Sequence, residues 1–495
     1  MVNALRTSSI APWASMDSTT SGPVSSWFVW TLHQAGMPIT YRAIHLVAAI
    51  CIIFTFVTSW LASRRLFGIG PALVGACAGA LWLAFPRKEF SHFSSEIVPI
   101  SLIGLALLCA VPTQTVGPKS KRIALIVAGV ALGLVPWTKL QAAPIAAVLG
   151  LFLVVEMLAK PGTGEPRSRR WIDAALMCGA ALLPSGLIFT WIARVGALSD
   201  FTQSYIVSNL LYAAKPTKQY IIDIIYMMTR RSITPLLIGI GALFLAAAFV
   251  RGSGVLDDMR RRRWELSLAV SLLAVSFFAC VKPRTQFAHY QLLMLAPTIL
   301  AIAGGASLLA DEEKPMILGG RLSPMWTLSA ACVGLPLVIM STWLATSMRR
   351  DIESVRQPTE SFPQRQIAGL VKKAVPNIRS VAVWGWEPCI YVDLGLPPVT
   401  RHVINHFLTL PGPAAVFLRS RYLDDVRLAR PDVILDVGEI SEPGVHKPAL
   451  SSVFPELNSL ISEHYDFART YYLSATSSGD GREVTIYTRR TPYGS

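Results

Sequence analysis

Charge is what this sequence has least of. Only 15% of its 495 residues are charged, against about 25% in ordinary soluble domains, and 52% are hydrophobic. That balance excludes a disordered or highly solvated chain, which needs the opposite composition. Paired cysteines are also missing. The seven cysteines are Cys51, Cys77, Cys109, Cys178, Cys280, Cys332 and Cys389; six lie in apolar runs and none forms a CxxC pair. They read as small hydrophobes and exclude a disulfide framework or a zinc site built on cysteine. The first forty residues hold no apolar core of the kind a cleavable signal peptide needs. The tail beyond residue 351 contains neither GxGxxG nor a P-loop, so nothing there cradles a nucleotide phosphate by a known glycine turn.

What is present is a series of apolar runs. Ten candidate spans fall near 43–62, 66–86, 97–112, 123–137, 140–159, 174–194, 235–250, 265–281, 291–310 and 325–346. A span needs about 17–25 apolar residues, so 97–112 and 123–137 are short for the task and read as tilted, re-entrant or extended by polar residues. The basic residues sit between the runs, most densely at Arg260, Arg261, Arg262 and Arg263. In a soluble protein the net charge of +15 would point to nucleic acid; in short loops between spans it points to orientation and anionic headgroups, with no nucleic-acid partner. With about ten spans both ends share one side. Placing them outside puts 16 basic residues in the inner loops and 12 in the outer loops and N-terminal tail. The bias sets residues 1–42 and the tail on the outer face.

The fold class expected is therefore an α-helical polytopic membrane protein of about ten helices, residues 43–346, with a soluble C-terminal α/β domain, residues 351–495. In that domain the strings 380–385, 432–437 and 484–488 read as strands, and 362–375 and 454–463 as helices. Trp384, Trp386, Glu387 and Tyr391 lie where the first strand ends, the usual ligand edge of an open α/β sheet. Packing of those aromatics is the plainer explanation.

Polar groups beside a membrane are costly and tend to be functional. Four clusters share the outer face. Asp17 opens a hydroxyl-rich turn closed by Gly22-Pro23, which a simple turn or helix cap also explains. Glu96 stands directly before Ile-Val-Pro-Ile, with His92 four residues earlier; a structural Glu–His or Glu–Arg pair would also account for it. Lys139 and Gln141 lie in Pro136-Trp-Thr-Lys-Leu-Gln141 with almost no loop around them, so Lys139 meets an anion or snorkels to headgroups. Lys282, Arg284, His289 and Tyr290 run into a span, as a phosphate site at a helix N-terminus or as an aromatic and basic belt. The loop 200–209 could cover a cleft or form a surface helix. Cations for a phosphate, a carboxylate for an acceptor hydroxyl and apolar grooves for a tail together suit a lipid-phosphate-linked substrate.

These strings resemble the polytopic GT-C glycosyltransferases of bacteria, the broad group that includes protein mannosyltransferase-like and dolichyl-phosphate-mannose-dependent enzymes. Asp17-Ser-Thr-Thr-Ser-Gly-Pro is similar to the first outer loop of one branch, His92-Phe-Ser-Ser-Glu96 to its second outer motif, and Lys139-Leu-Gln141 and Phe287-Ala-His289-Tyr290 to strings at similar places. Pro431-Asp-Val-Ile-Leu-Asp436 and Phe454-Pro-Glu-Leu are similar to the outer domain of such proteins. The resemblance implies inverting transfer of a sugar from a polyprenyl-phosphate donor to a lipid, glycan or protein acceptor outside the inner (plasma) membrane, the C-terminal domain being periplasmic. It implies Asp17 and Glu96 as the catalytic carboxylates. Lys139, Arg284 and His289 would hold the departing phosphate, with His92, Gln141 and Tyr290 completing the substrate site. No cofactor is certain; a divalent cation, Mg or Mn, could bridge Asp17 or Glu96 to a phosphate, with no ligand set spelled out. Such proteins begin with a membrane helix followed by an acidic residue or pair. Here sixteen residues precede Asp17 and none is acidic, so the start codon is expected to be assigned too late.

The competing class is a transporter or flippase for a lipid-linked or small anionic substrate. That class calls for internal repeats and mid-span charges, which the sequence lacks. A non-catalytic scaffold with a glycan-binding outer domain fits the four polar clusters less well.

Overall fold

The computed structural model describes residues 11–17, 21–38, 40–84, 92–111, 118–159, 166–214, 216–230, 254–283, 287–309, 317–318, 321–322, 363–385, 387–409, 412–437, 450–473 and 482–490. The chain divides into two compact units. One gathers Met1–Gln34, Thr190–Leu211 and Glu353–Ser495; the other holds Ala35–Phe189 and Tyr212–Ile352.

The second unit is helical and apolar. Among the described residues six helices are long and apolar enough to cross a membrane: Tyr41–Phe67, Pro118–Trp137, Leu140–Ala159, Arg167–Arg194, Arg263–Val281 and His289–Ser307. The chain is thus a multi-pass membrane protein. The runs at 66–86 and 97–112 form shorter helices, Ile69–Ala84 and Ile97–Ala110, of 16 and 14 residues. The run at 123–137, which looked too short, belongs to a 20-residue helix that starts at Pro118. Its first turns carry Lys119, Lys121 and Arg122, which hide the helix from a purely apolar reading. Lys121 and Arg122 both pair with the buried Asp173, at 3.2 Å each. The runs at 235–250 and 325–346 lie outside the described residues.

Lipid tails are as apolar as leucine, so membrane helices hold one another through close packing of small residues and not by excluding water. Two glycine pairs at i, i+4 do this here. Gly75 and Gly79 press on Ile299 and Ala303; Gly129 and Gly133 press on Met177, Ala180 and Ala181. A Cβ at Gly133 would fall on the Ala181 carbonyl. The termini are tied as well. The Thr40 hydroxyl accepts from the Ala43 N–H at 3.2 Å, and Arg65 donates to the Leu108 carbonyl at 2.6 Å, capping the end of its neighbour. A short antiparallel ribbon, β1 (Ile317–Leu318) with β2 (Arg321–Leu322), follows the last described helix.

The first unit contains a four-stranded sheet. Its strands are β3 (Val381–Trp384), β4 (Val433–Asp436), β5 (Tyr465–Leu473) and β6 (Arg482–Arg489), in the order β3-β4-β6-β5. Only β3 and β4 are parallel. Val381, Val383, Val433, Leu435 and Ile486 form its core with Ile367 and Val371 from Pro363–Ala374 and Ile390 from Cys389–Leu394. An edge strand leaves backbone groups unpaired. At Val383 of β3 side chains pair them: its N–H donates to the Tyr391 hydroxyl, and its carbonyl accepts from Asn405 Nδ2 and the Tyr422 hydroxyl at 2.9 and 3.1 Å. Trp384 packs edge-on to Tyr422 at 5.6 Å and against Phe454 at 5.5 Å, so it belongs to the core and not to a ligand edge. Trp386 lies outside the described residues, and Glu387 is buried.

Candidate active site

Glu96 immediately precedes the helix Ile97–Ala110, and its carbonyl accepts from the Ile100 N–H at 3.1 Å. Its side chain is completely buried. Residues 92–96 are not helical, so His92 and Glu96 do not share a helix face as their spacing led one to expect. An ammonium and an imidazole meet the carboxylate instead. Lys139 Nζ lies 3.4 Å from Oε1, and His289 Nε2 lies 3.7 Å from Oε2. Ser95 links the first pair: its hydroxyl donates to Glu96 Oε1 at 3.1 Å and accepts from Lys139 Nζ at 2.8 Å.

Lys139 owes its position to a broken helix. Val135–Trp137 and Leu140–Ala142 are separate 3₁₀ turns, and Lys139 between them is extended, with φ −156° and ψ 116°. Proline at 136 and the tight turns end one span and restart the next within a few residues. Neighbouring bonds hold the break. Trp137 Nε1 donates to Ser185 Oγ at 2.8 Å, and Gln141 Nε2 donates to the Ala279 carbonyl at 2.7 Å. Lys139 is only 5% exposed, so it meets an anion and does not snorkel.

The 3₁₀ turn Ala288–Met294 supplies the third side of the cluster. His289 stacks on Phe287 at 5.2 Å and meets His92 edge-on at 5.8 Å. The Tyr290 ring lies 5.6 Å from Lys139 Nζ. Its hydroxyl is 3.2 Å from that of Tyr212, and its carbonyl accepts from the Cys280 thiol at 3.0 Å. The structure therefore joins His92, Glu96, Lys139, His289 and Tyr290 in one cluster and fixes Gln141 beside it. Arg284 lies outside the described residues. Ser95 and Tyr212 are additions. Ser95 was legible as a hydroxyl next to a buried carboxylate, whereas nothing in the sequence distinguished Tyr212 from its aromatic neighbours.

Burial pushes the Glu96 carboxyl up, but Lys139, His289 and the hydroxyls of Ser94 and Ser95 outweigh it and hold it below the usual carboxylate range. Among the described residues no group of three or more His, Cys, Asp or Glu side chains is placed to hold a metal ion. Glu96 and His289 offer two donors, and Lys139 already supplies a positive charge there.

Asp17 is in the other compact unit and is 2% exposed. Its N–H donates to the Arg401 carbonyl at 2.8 Å, Ser204 Oγ donates to Oδ1 at 2.7 Å, and His402 Nδ1 lies 3.6 Å from Oδ2. Ser204 comes from a π-helical turn, Phe201–Val207, whose Phe201 and Tyr205 pack on Trp13 at 4.9 and 5.5 Å. Trp13 has φ +63°, a costly conformation for a bulky residue, kept here by that packing. Arg401 forks onto Asp425 and reaches Asp200, which Arg421 also meets. The loop 200–209 is thus helical, and it is buried through Asp200, Phe201, Ser204 and Tyr205. Burial pushes the His402 imidazole down, with Asp17 opposing.

No protein-family model and no curated protein matches the sequence. Solved structures do. ArnT from Cupriavidus metallidurans bound to undecaprenyl phosphate aligns with a TM-score of 0.54 at 15% identity, over 95% of this chain and 88% of that one. The same protein in the apo state aligns at 0.49 with 16% identity, over 96% and 90%. The Archaeoglobus fulgidus oligosaccharyltransferase complex with Zn and sulfate aligns at 0.39 with 12% identity, over 95% and 65%. The last two likenesses are too slight to argue from. The first shows a shared fold: over 95% of its length the chain has the architecture of that structure.

Proposed function

We propose that the chain transfers a sugar from a polyprenyl-phosphate donor to a hydroxyl of a lipid, glycan or protein acceptor, with inversion, at the outer face of the plasma membrane. The observation that carries this reading is the fully buried Glu96 paired with both Lys139 and His289. A carboxylate next to cations, at the head of an apolar helix, suits a reaction that moves a proton and releases an anion beside lipid. A solved structure of the same fold holds undecaprenyl phosphate, which supports a donor of that kind.

In this reading the acceptor oxygen attacks the anomeric carbon from the face opposite the phosphate. The C1–O bond to phosphate breaks, and its electron pair leaves on the phosphate oxygen. The acceptor proton passes to Glu96, and Lys139 and His289 balance the new charge on the departing polyprenyl phosphate. His92 and Tyr290 hold His289 and Lys139 in place, and Gln141 secures the turn that presents Lys139. Arg284 adds a second cation for the phosphate. Residues 351–495 form the outer domain, and Asp17, bonded to Ser204 and Arg401, holds the N-terminal segment to it.

The test is transfer from labelled polyprenyl-phosphate sugars to a membrane extract by the purified full-length protein. Glu96→Gln should lower the rate roughly 10²- to 10⁴-fold, the usual worth of a placed base. Asp17→Asn should lower stability while leaving turnover per folded molecule nearly intact. Full activity in Glu96→Gln would remove the assigned base. Loss of turnover in a folded Asp17→Asn would return catalysis to Asp17. No transfer from any such donor would remove the function.

A further inference from the structure

The Glu96–Lys139 pair raises a problem for the reaction proposed above. A carboxylate held by an ammonium and an imidazole is a poor base, and an ammonium bonded to a carboxylate and a serine has little left for a phosphate. Lys139 has three donor positions. One is on Ser95 Oγ at 2.8 Å, and Glu96 Oε1 lies 3.4 Å away. The face of Tyr290 lies 5.6 Å off. The amine is almost wholly buried, so no shell of solvent competes for it.

We propose that Lys139 is an exchangeable cation: in the resting protein it neutralises Glu96, and the donor phosphate takes it over, so that donor must bind before Glu96 can receive the acceptor proton. The proposal rests on the function proposed above and adds its order of events. Three features favour exchange over simple addition. Lys139 sits on an extended residue between two short turns and not inside a helix, so no helical turn of its own confines its side chain. Ser95 bonds both partners and can keep Glu96 company when the amine leaves. His289, on the opposite oxygen of Glu96, remains to keep the buried carboxylate from being stranded. When the C1–O bond breaks and its electron pair passes to the phosphate oxygen, the charge on Lys139's new partner grows from about one to nearly two. The amine is then best placed where that charge appears. Protonated Glu96 no longer needs it at that moment.

The measurement is binding of undecaprenyl phosphate to the full-length protein in detergent. Glu96→Gln removes the competitor and keeps the shape, so it should bind undecaprenyl phosphate about five- to tenfold more tightly than wild type, tenfold being about 1.4 kcal/mol. Lys139→Met should weaken binding at least tenfold, and adding Glu96→Gln to it should restore none of the loss. Unchanged or weaker binding by Glu96→Gln overturns the exchange. Absence of binding by wild type and every variant overturns the function reading itself. Initial-rate kinetics on wild type give an arm that needs no variant: an acceptor analogue should inhibit uncompetitively against donor. Competitive or mixed inhibition overturns the order.

Discussion

The stability of the Glu96–Lys139 pair can be read apart from any activity, by a double-mutant cycle. At 3.4 Å the two charges attract by about 5 kcal/mol at an effective dielectric of about 20, before desolvation is charged against them. Removing one partner of a buried pair typically loses about 3–5 kcal/mol, because the other charge is stranded. Here His289 at 3.7 Å and the Ser95 hydroxyl stay with Glu96, so Lys139→Met should lose about 2–3 kcal/mol. Adding Glu96→Gln removes the stranded charge, and the double variant should recover most of that loss. The coupling should be about 2 kcal/mol, which double-mutant cycles resolve easily. Thermal unfolding followed by fluorescence in detergent supplies the four values. The sign with pH is fixed by the lowered folded-state Glu96 value. The pair stabilises at neutral pH and loses its effect as pH falls through that value, below the ordinary carboxylate range. Strictly additive single losses at pH 7 would refute the buried pair.

Two further outcomes follow from other parts of the molecule. Gly133→Ala should destabilise by about 1–3 kcal/mol, because the new Cβ meets the Ala181 backbone, while Gly179→Ala, with open space around it, should be neutral or slightly stabilising; equal melting shifts for the two would contradict the packing. In the sheet-bearing unit His402 has a lowered folded-state pKa, so the unfolded imidazole takes a proton first and stability drops as pH falls below about 6.5. His402→Gln should flatten the melting temperature between pH 7 and 5.5, and an unchanged slope would refute this role for His402.

Much of this was legible because it is one-dimensional. Apolar runs announce spans, and β3, β4 and β6 appeared as short β-branched strings within a residue or two of their bounds. The helix from Pro118 was harder, since its basic first turns look like loop until Asp173, far along the chain, is seen to receive them. β5 follows the helix Pro455–His464 with no turn residue between, so no punctuation marks its start. The helix Pro413–Ala429 mixes arginine and aspartate among its apolar residues and reads as surface until Tyr422 is found wholly buried. At the site, the Glu96, Lys139 and His289 strings stood out as polar groups at span ends, but which would pair was a matter of distance and not of pattern. Asp17 illustrates the limit most sharply. Its partners Ser204, Arg401 and His402 come from segments whose sequences gave no hint of a shared core.

That core has a consequence for how each copy is made. The Asp17 N–H bonds to the Arg401 carbonyl, and between those residues lies most of the chain. At roughly 5–20 residues per second, the roughly 400 intervening residues take roughly 20–80 s to leave the ribosome. For about the first half of that time Trp13 and Asp17, both buried in the finished protein, have none of their distant partners, and until Arg401 and His402 are made Asp17 has only Ser204 of the three. The six membrane helices between those two residues are all made before that bond can form. The stretch around Arg401 and His402 then completes the burial of Asp17, so synthesis of the C-terminal domain is also the step that retires residues 11–17 from the reach of proteases and chaperones.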